Sequence, residues 1–142
     1  MTVRKNNRLQ FKAGPNGVIP CKAHPTDAGY DLYASEDVLL WGNRPKKVST
    51  DIFMALPTNT VGDIRPRSSL NAKGVYVAYG TVDSGYRGEI KVVMSASFYK
   101  VHKGDKIAQL VVLPLAKTAP EVVTELPPSD RGEGGFGSTG NK

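Results

Sequence analysis

Apolar and polar positions alternate with a period of two along most of this chain, in short runs closed by Gly, Pro and Asn. That pattern predicts strands rather than helices. Leu9 and Phe11 alternate with Arg8, Gln10 and Lys12, and Pro15-Asn16-Gly17 then breaks the run. Residues 28–34 form a second strand pattern with an acid, Asp31, at its centre. Val38–Trp41 is a third, and residues 46–56 a fourth, with Val48, Ile52, Met54 and Leu56 as core positions. Further strands are expected at 61–65, 75–82, 90–94, 104–113 and 121–126. In the 104–113 run a single amide, Gln109, interrupts an apolar sequence and must find a hydrogen-bond partner if it is buried. One short helix is expected at 69–74, capped by Ser69 and stopped by Gly74. Many short strands and almost no helix predict an all-β sandwich, jelly roll or barrel.

The pairing expected around Gly80-Thr81-Val82-Asp83-Ser84-Gly85-Tyr86-Arg87-Gly88-Glu89 is a β-hairpin, with 75–82 entering and 90–94 leaving a turn at Ser84-Gly85, where Gly can supply a positive φ. Its tip sets a carboxylate, Asp83, three residues from an aromatic ring, Tyr86. Glycines on both sides let another molecule approach the backbone.

Composition narrows the picture. With 142 residues the chain has the length of one domain. Residues 1–126 are expected to form a single β domain, with residues 1–7 frayed and 127–142 a glycine-rich arm. Cys21 is the only cysteine, so no intrachain disulfide can form, and with His24 and His102 alone beside it there is no zinc set. The basic N-terminus has no apolar segment after it and no run reaches membrane-spanning length, so a soluble, cytoplasmic protein is expected, in the host cell if virus-encoded. A net charge of +6 and a pI near 9.5 suit an anionic partner. The basic residues are scattered and not interleaved with aromatics, so specific nucleic-acid binding is not expected, and a discrete anionic ligand fits better. Arg65 and Arg67 beside the short helix favour an anion there.

The tail Arg131-Gly132-Glu133-Gly134-Gly135-Phe136-Gly137-Ser138-Thr139-Gly140 satisfies G-x-G-x-x-G and nearly satisfies the Walker A pattern. Neither applies, because the glycines follow two prolines instead of a strand and open no helix. What remains is an arm with an arginine, an aromatic ring, two hydroxyls and backbone amides free to wrap an anion.

Taken together, Ala28-Gly29-Tyr30-Asp31-Leu32, Pro66-Arg67-Ser68-Ser69-Leu70, the 80–88 stretch, Gly104-Asp105-Lys106-Ile107-Ala108-Gln109-Leu110 and the tail resemble, in order and spacing, the five motifs of the trimeric dUTP pyrophosphatase (dUTPase) family. The resemblance implies a jelly-roll-like subunit, a homotrimer with active sites shared between chains, and hydrolysis of dUTP to dUMP and pyrophosphate with Mg2+, which limits uracil in DNA and supplies dUMP for dTMP synthesis. It also implies roles. Asp83 matches the base that aims a water at the α-phosphorus, and Tyr86 the ring that leaves no room for a ribose 2′-OH. Backbone groups over 77–86, including Val77, Gly80 and Val82, match the uracil-reading set. Arg67, Ser68 and Gln109 match phosphate contacts, with Ser69 beside them in the substrate-binding set, and Asp31 matches the acid that holds Mg2+ through water. From the tail, Arg131 matches the γ-phosphate clamp, Phe136 the ring stacked over uracil, and Gly137, Ser138 and Thr139 further closure and phosphate contacts.

Thr81-Val82 and Ser84-Gly85 depart from the family's usual residues, which bears on the backbone register at uracil. Three other readings compete. The related dCTP deaminases need a glutamate where this chain has Val93. A nucleotide-gated arm could signal to a protein partner. A basic single-strand binder would show steeply salt-dependent DNA affinity.

Overall fold

In the computed structural model, which describes residues 7–135 and Gly137, eleven short strands and one four-residue helix form four small sheets. Residues 1–6 of the N-terminus expected to fray, and Phe136, Ser138 and Thr139, lie outside the described residues. The strands are β1 (Gln10–Ala13), β2 (Tyr30–Tyr33), β3 (Val38–Trp41), β4 (Lys46–Ser49), β5 (Ile52–Ala55), β6 (Thr60–Arg65), β7 (Tyr76–Val77), β8 (Gly80–Asp83), β9 (Lys91–Ser95), β10 (Phe98–Val101) and β11 (Lys106–Pro114). All the pairings are antiparallel, and the result is the all-β architecture with one short helix that the residue pattern predicts, in the jelly-roll-like form that the resemblance implies. No helix among the described residues is long and apolar enough to cross a membrane.

Two layers matter for function. A four-stranded sheet runs in the order β2-β11-β6-β8, and a three-stranded sheet in the order β4-β9-β7. Alternation along each strand sends one set of side chains inward. Leu32, Leu110 and Ile64 from the first sheet, with Val48, Val92 and Met94 from the second, belong to one buried cluster. Val48, Ile52, Met54 and Leu56 are buried as expected.

Five local expectations are corrected. First, residues 75–82 are not one strand. β7 pairs with β9 through Tyr76↔Ser95 and Val77↔Met94, whereas β8 crosses to the other sheet and pairs with β6. The Tyr86 amide does close a turn on the Asp83 carbonyl at 3.0 Å, but the strands on either side of that turn do not pair with each other. Gly85 is not among the residues with positive φ.

Second, the helix α1 (Ser68–Asn71) starts one residue early, with Arg67 at its N-cap position and no side-chain cap. Its stop is the expected one: Gly74 has φ 77° and the Val75 amide returns to the Leu70 carbonyl at 3.0 Å. Third, residues 46–56 split into β4 and β5 at Thr50-Asp51, where Asp51 has φ 55°. Fourth, residues 121–126 form no strand; Val122 and Leu126 are almost fully exposed. Fifth, residues 98–101, where no strand is expected, form β10, paired with β3.

Candidate active site

The end of β8 and the loop after it form one wall of a cleft of about 640 Å3, with Asp83, Tyr86, Glu89, Lys47, Lys91 and Val93 among its lining residues. Asp83 is exposed, and the turn after it swings the Tyr86 ring to the same cleft. The Tyr86 hydroxyl donates to the Glu89 carbonyl at 3.0 Å. Gly88 leaves room for that ring: a Cβ there would lie 2.3 Å from the hydroxyl oxygen, so the ring would have to move aside. Gly80 and Val82 line the cleft as well. Val77 does not; its side chain is in the core, which leaves only its backbone to meet a ligand.

A second cluster forms at the opposite end of the four-stranded sheet. Asp31 on β2 and Gln109 on β11 are register partners, and Gln109 also faces Arg65 on β6. Asp31 carries two cations: the Lys106 Nζ at 3.3 Å and, more distantly, the Arg67 Nε at 3.9 Å. Two positive groups around one carboxylate leave an excess of positive charge, a setting that attracts a further anion. Gln109 finds the partner its burial demands, donating from Nε2 to the Pro66 carbonyl at 3.1 Å and so tying β11 to the Arg67-Ser68-Ser69 segment. Ser68 and Ser69 are exposed beside it. Asp31 is therefore held by charge and is not a solvent-facing accident of the strand.

Cys21 bridges to Asp31 through its backbone, and its Sγ lies 3.5 Å from the Tyr33 hydroxyl. That contact, reinforced by burial and the nearby Asp31 charge, pushes the Tyr33 phenol up to about 12.

The two clusters do not meet within one chain. Asp83 pairs with Val61 and Gln109 with Arg65, so along β6 they stand four residues apart, roughly 13 Å at the rise of a strand. None of Asp31, Arg67, Ser68, Ser69 or Gln109 lines the Asp83 cleft. Arg131 is exposed, its Nε turned back to the Gly134 carbonyl, and Gly137 has φ 80°. Among the described residues no group of three or more His, Cys, Asp or Glu side chains converges as a metal site. Sequence reasoning missed Lys106, whose charge is visible only once β2 and β11 pair, and Glu89, which the motif contained without a role.

Fold and clusters define a jelly-roll-like β protein with two separate clusters, one offering a ring and a carboxylate, the other an amide and a surplus of cationic charge. The family model described as dUTPase matches residues 16–140, and the chain belongs to that family. It is 46% identical over 138 residues to the deoxyuridine 5'-triphosphate nucleotidohydrolase of Clostridium kluyveri, covering 93% of this chain and 96% of that one. It is 44% identical over 139 residues to the Saccharomyces cerevisiae protein of the same name, covering 94% of each. Among solved structures, a variant of the Staphylococcus bacteriophage 80alpha dUTPase with dUpNHpp superposes with a TM-score of 0.90 at 29% identity, over 94% of this chain and 99% of that one. A dUTPase variant from phage phi11 of S. aureus, described with a structural Mg(II) ion, gives 0.79 at 26% identity, over 84% and 98%.

Proposed function

We propose that this chain hydrolyses dUTP to dUMP and pyrophosphate. The observation that carries the reading is the shared cleft of Asp83 and Tyr86 in a chain of the dUTPase family. Asp83 receives a proton from water as the oxygen bonds to the α-phosphorus and the α–β bridging P–O bond breaks, releasing pyrophosphate. An aspartate has an ordinary pKa near 4 and is a weak base at neutral pH, so its main contribution is to hold the water in line. The Tyr86 ring packs beneath the sugar and excludes a 2′-hydroxyl. Backbone groups of Gly80 and Val82, with the Val77 strand behind them, read the uracil edge; cytosine would present donors to donors and acceptors to acceptors.

Arg67, Ser68, Ser69 and Gln109 take the phosphates. Because they stand apart from Asp83 within one chain, each complete site draws them from a second copy, which supports a homotrimer with shared sites. Residues 127–142 act as the arm that closes a neighbour's site, with Arg131 on the γ-phosphate, Phe136 over the base, and Gly137, Ser138 and Thr139 on the phosphates. Arginine suits its position because its planar fork binds phosphate oxygens in pairs.

Mg2+ needs only one or two carboxylates when substrate phosphates and water complete its shell; Asp31, paired with Lys106 and Arg67 in the free chain, would hold it through water once bound phosphates take up those two cations. When bound, Mg2+ neutralises phosphate charge. A cytoplasmic location follows from this role in nucleotide supply.

Asp83→Asn tests the assignment. Nucleotide binding should persist while turnover falls by about two to four orders of magnitude, the usual worth of a positioned general base. Undiminished pyrophosphate release would remove Asp83 from the role. A pyrophosphate assay across dUTP, dCTP, dTTP and UTP tests base and sugar selection together. Val93 lines the cleft where the deaminases need a glutamate; ammonia released from dCTP at a rate near that on dUTP would overturn the hydrolase reading.

A further inference from the structure

Glu89 stands outside the roles assigned so far, yet it joins the cleft to the rigid turn between β4 and β5. Its side-chain Oε2 accepts the Ser49 hydroxyl and the Asp51 amide, the latter at 2.9 Å. Its other oxygen lies 3.9 Å from the Lys91 Nζ. Its backbone carbonyl accepts the Tyr86 hydroxyl. The next residue is fastened to the same turn: the Ile90 amide donates to the Ile52 carbonyl at 2.8 Å, and the Thr50 hydroxyl donates to the Ile90 carbonyl. One residue thus grips a buried turn with its side chain and the tyrosine ring with its main chain.

The geometry points to Glu89 as the positioning residue that sets the Tyr86 ring, and through the ring the discrimination between deoxyribonucleotide and ribonucleotide. The inference rests on the reading of Tyr86 as the sugar-selecting ring. The physical reason is lever-like. Tyr86 closes a turn, Asp83-Ser84-Gly85, in which Asp83 and Gly85 are exposed, and among the described residues its hydroxyl donates to the Glu89 carbonyl. The turn holds the backbone end of Tyr86, through the Asp83 carbonyl and the Arg87 guanidinium on the Ser84 and Tyr86 carbonyls, but the ring excludes a single hydroxyl only if its far end is fixed as well. Glu89 fixes it, and the Ser49 and Asp51 donors fix Glu89.

Besides Glu89 itself, Lys47, Lys91 and Asp83 are the charged groups lining the same cleft. They would act on any charged substrate group, but would not by themselves distinguish UTP from dUTP, which carry the same charge. Sugar selection therefore separates a ring-positioning role from a general electrostatic one.

The test is kcat/KM for dUTP and UTP in the full-length protein. Glu89→Ala should narrow the dUTP preference by about tenfold, the scale at which a pocket senses one small group, chiefly through a lower KM for UTP. Glu89→Gln keeps an acceptor oxygen and should retain most of the wild-type preference. Tyr86→Phe, which removes the hydroxyl and leaves the ring, should narrow it in the same direction, and the Tyr86→Phe, Glu89→Ala pair should be no more permissive than Glu89→Ala alone. Equal proportional losses on both substrates, or an unchanged ratio in Glu89→Ala, would overturn the inference. Should Glu89→Ala fail to fold, Ser49→Ala and Tyr86→Phe decide the matter, and unchanged ratios in both refute it. Tyr86→Ala separates the two levels. If it leaves the ratio unchanged, the reading of Tyr86 itself fails; if it alone changes the ratio, only the role of Glu89 fails.

Discussion

Gly29 is the residue on which the cationic half-site turns. A Cβ there would fall 2.4 Å from the Gln109 Oε1, 3.0 Å from its Cβ and 3.2 Å from its Cδ. The amide tip cannot simply rotate away, because its Nε2 is committed to the Pro66 carbonyl at 3.1 Å. Gly29→Ala must either push the β2 entry off β11 or displace Gln109 and release Pro66. Overpacking of this kind costs about 1–3 kcal/mol, and a lost hydrogen bond to a half-buried carbonyl about 1 kcal/mol more. We expect a loss of about 2–4 kcal/mol of stability from those two sources, read as a fall in the midpoint of thermal unfolding at fixed protein concentration. Since Pro66 leads directly into Arg67-Ser68-Ser69, kcat/KM for dUTP should fall about tenfold or more, the worth of a misplaced charge-assisted contact. Asp83 and Tyr86 lie at the other end of the sheet and are untouched, so selection against UTP should survive. A variant with wild-type stability and wild-type kcat/KM would refute the claim that Gly29 packs Gln109 into place.

Truncation before Arg131 should leave an intact assembly that binds dUTP but hydrolyses it poorly, as measured by sedimentation and pyrophosphate release; unchanged turnover would remove the arm from the site. Tyr33 should titrate near 12, read as the tyrosinate absorbance lost in Tyr33→Phe, and Cys21→Ala should bring it back towards 10, since the contact with Cys21 is the largest cause of the rise. A phenol whose folded pKa lies above its unfolded one contributes stability that is complete below about pH 10 and lost as pH rises through about 12. Gly74→Ala, at φ 77° with open space around it, should cost about 1–2 kcal/mol through the left-handed backbone alone. Gly85→Ala meets equally open space without that φ and should be neutral or slightly stabilising in chemical denaturation.

The chain's strands were largely legible because their signal is local. Val38–Trp41 has the bounds its pattern predicts, and Asp31 and Gln109 stand on strands where expected, while Asp83, expected at a turn, is the last residue of β8. Pairing was less legible. Gly80-Thr81-Val82-Asp83 alternates equally well whether it joins β6 or β9, and only the rest of the fold makes β6 its partner. Residues 121–126 carry a strand-like sequence, but within the described chain they lie exposed and unpaired, so propensity has nothing to act on. β10 was hidden because its four-residue run is short and mixed: Phe98 is exposed, Lys100 is polar, and only Val101 is fully buried. For the site, the reactive side chains were legible and their supports were not: Glu89, Ser49 and Lys106 acquire meaning only from contacts across the sheets.

The separation of Asp83 from Gln109 along β6 has a genetic consequence. If a complete site needs one half from each of two copies, two alleles that are each inactive alone, one broken at Asp83 and the other at Gln109, need not be inactive together. Mixed assemblies would contain some sites built from two intact halves, so the pair would complement. Two alleles broken in the same half could not. A damaged copy would in turn poison sites beyond its own, making a half-site lesion partly dominant over a healthy chain.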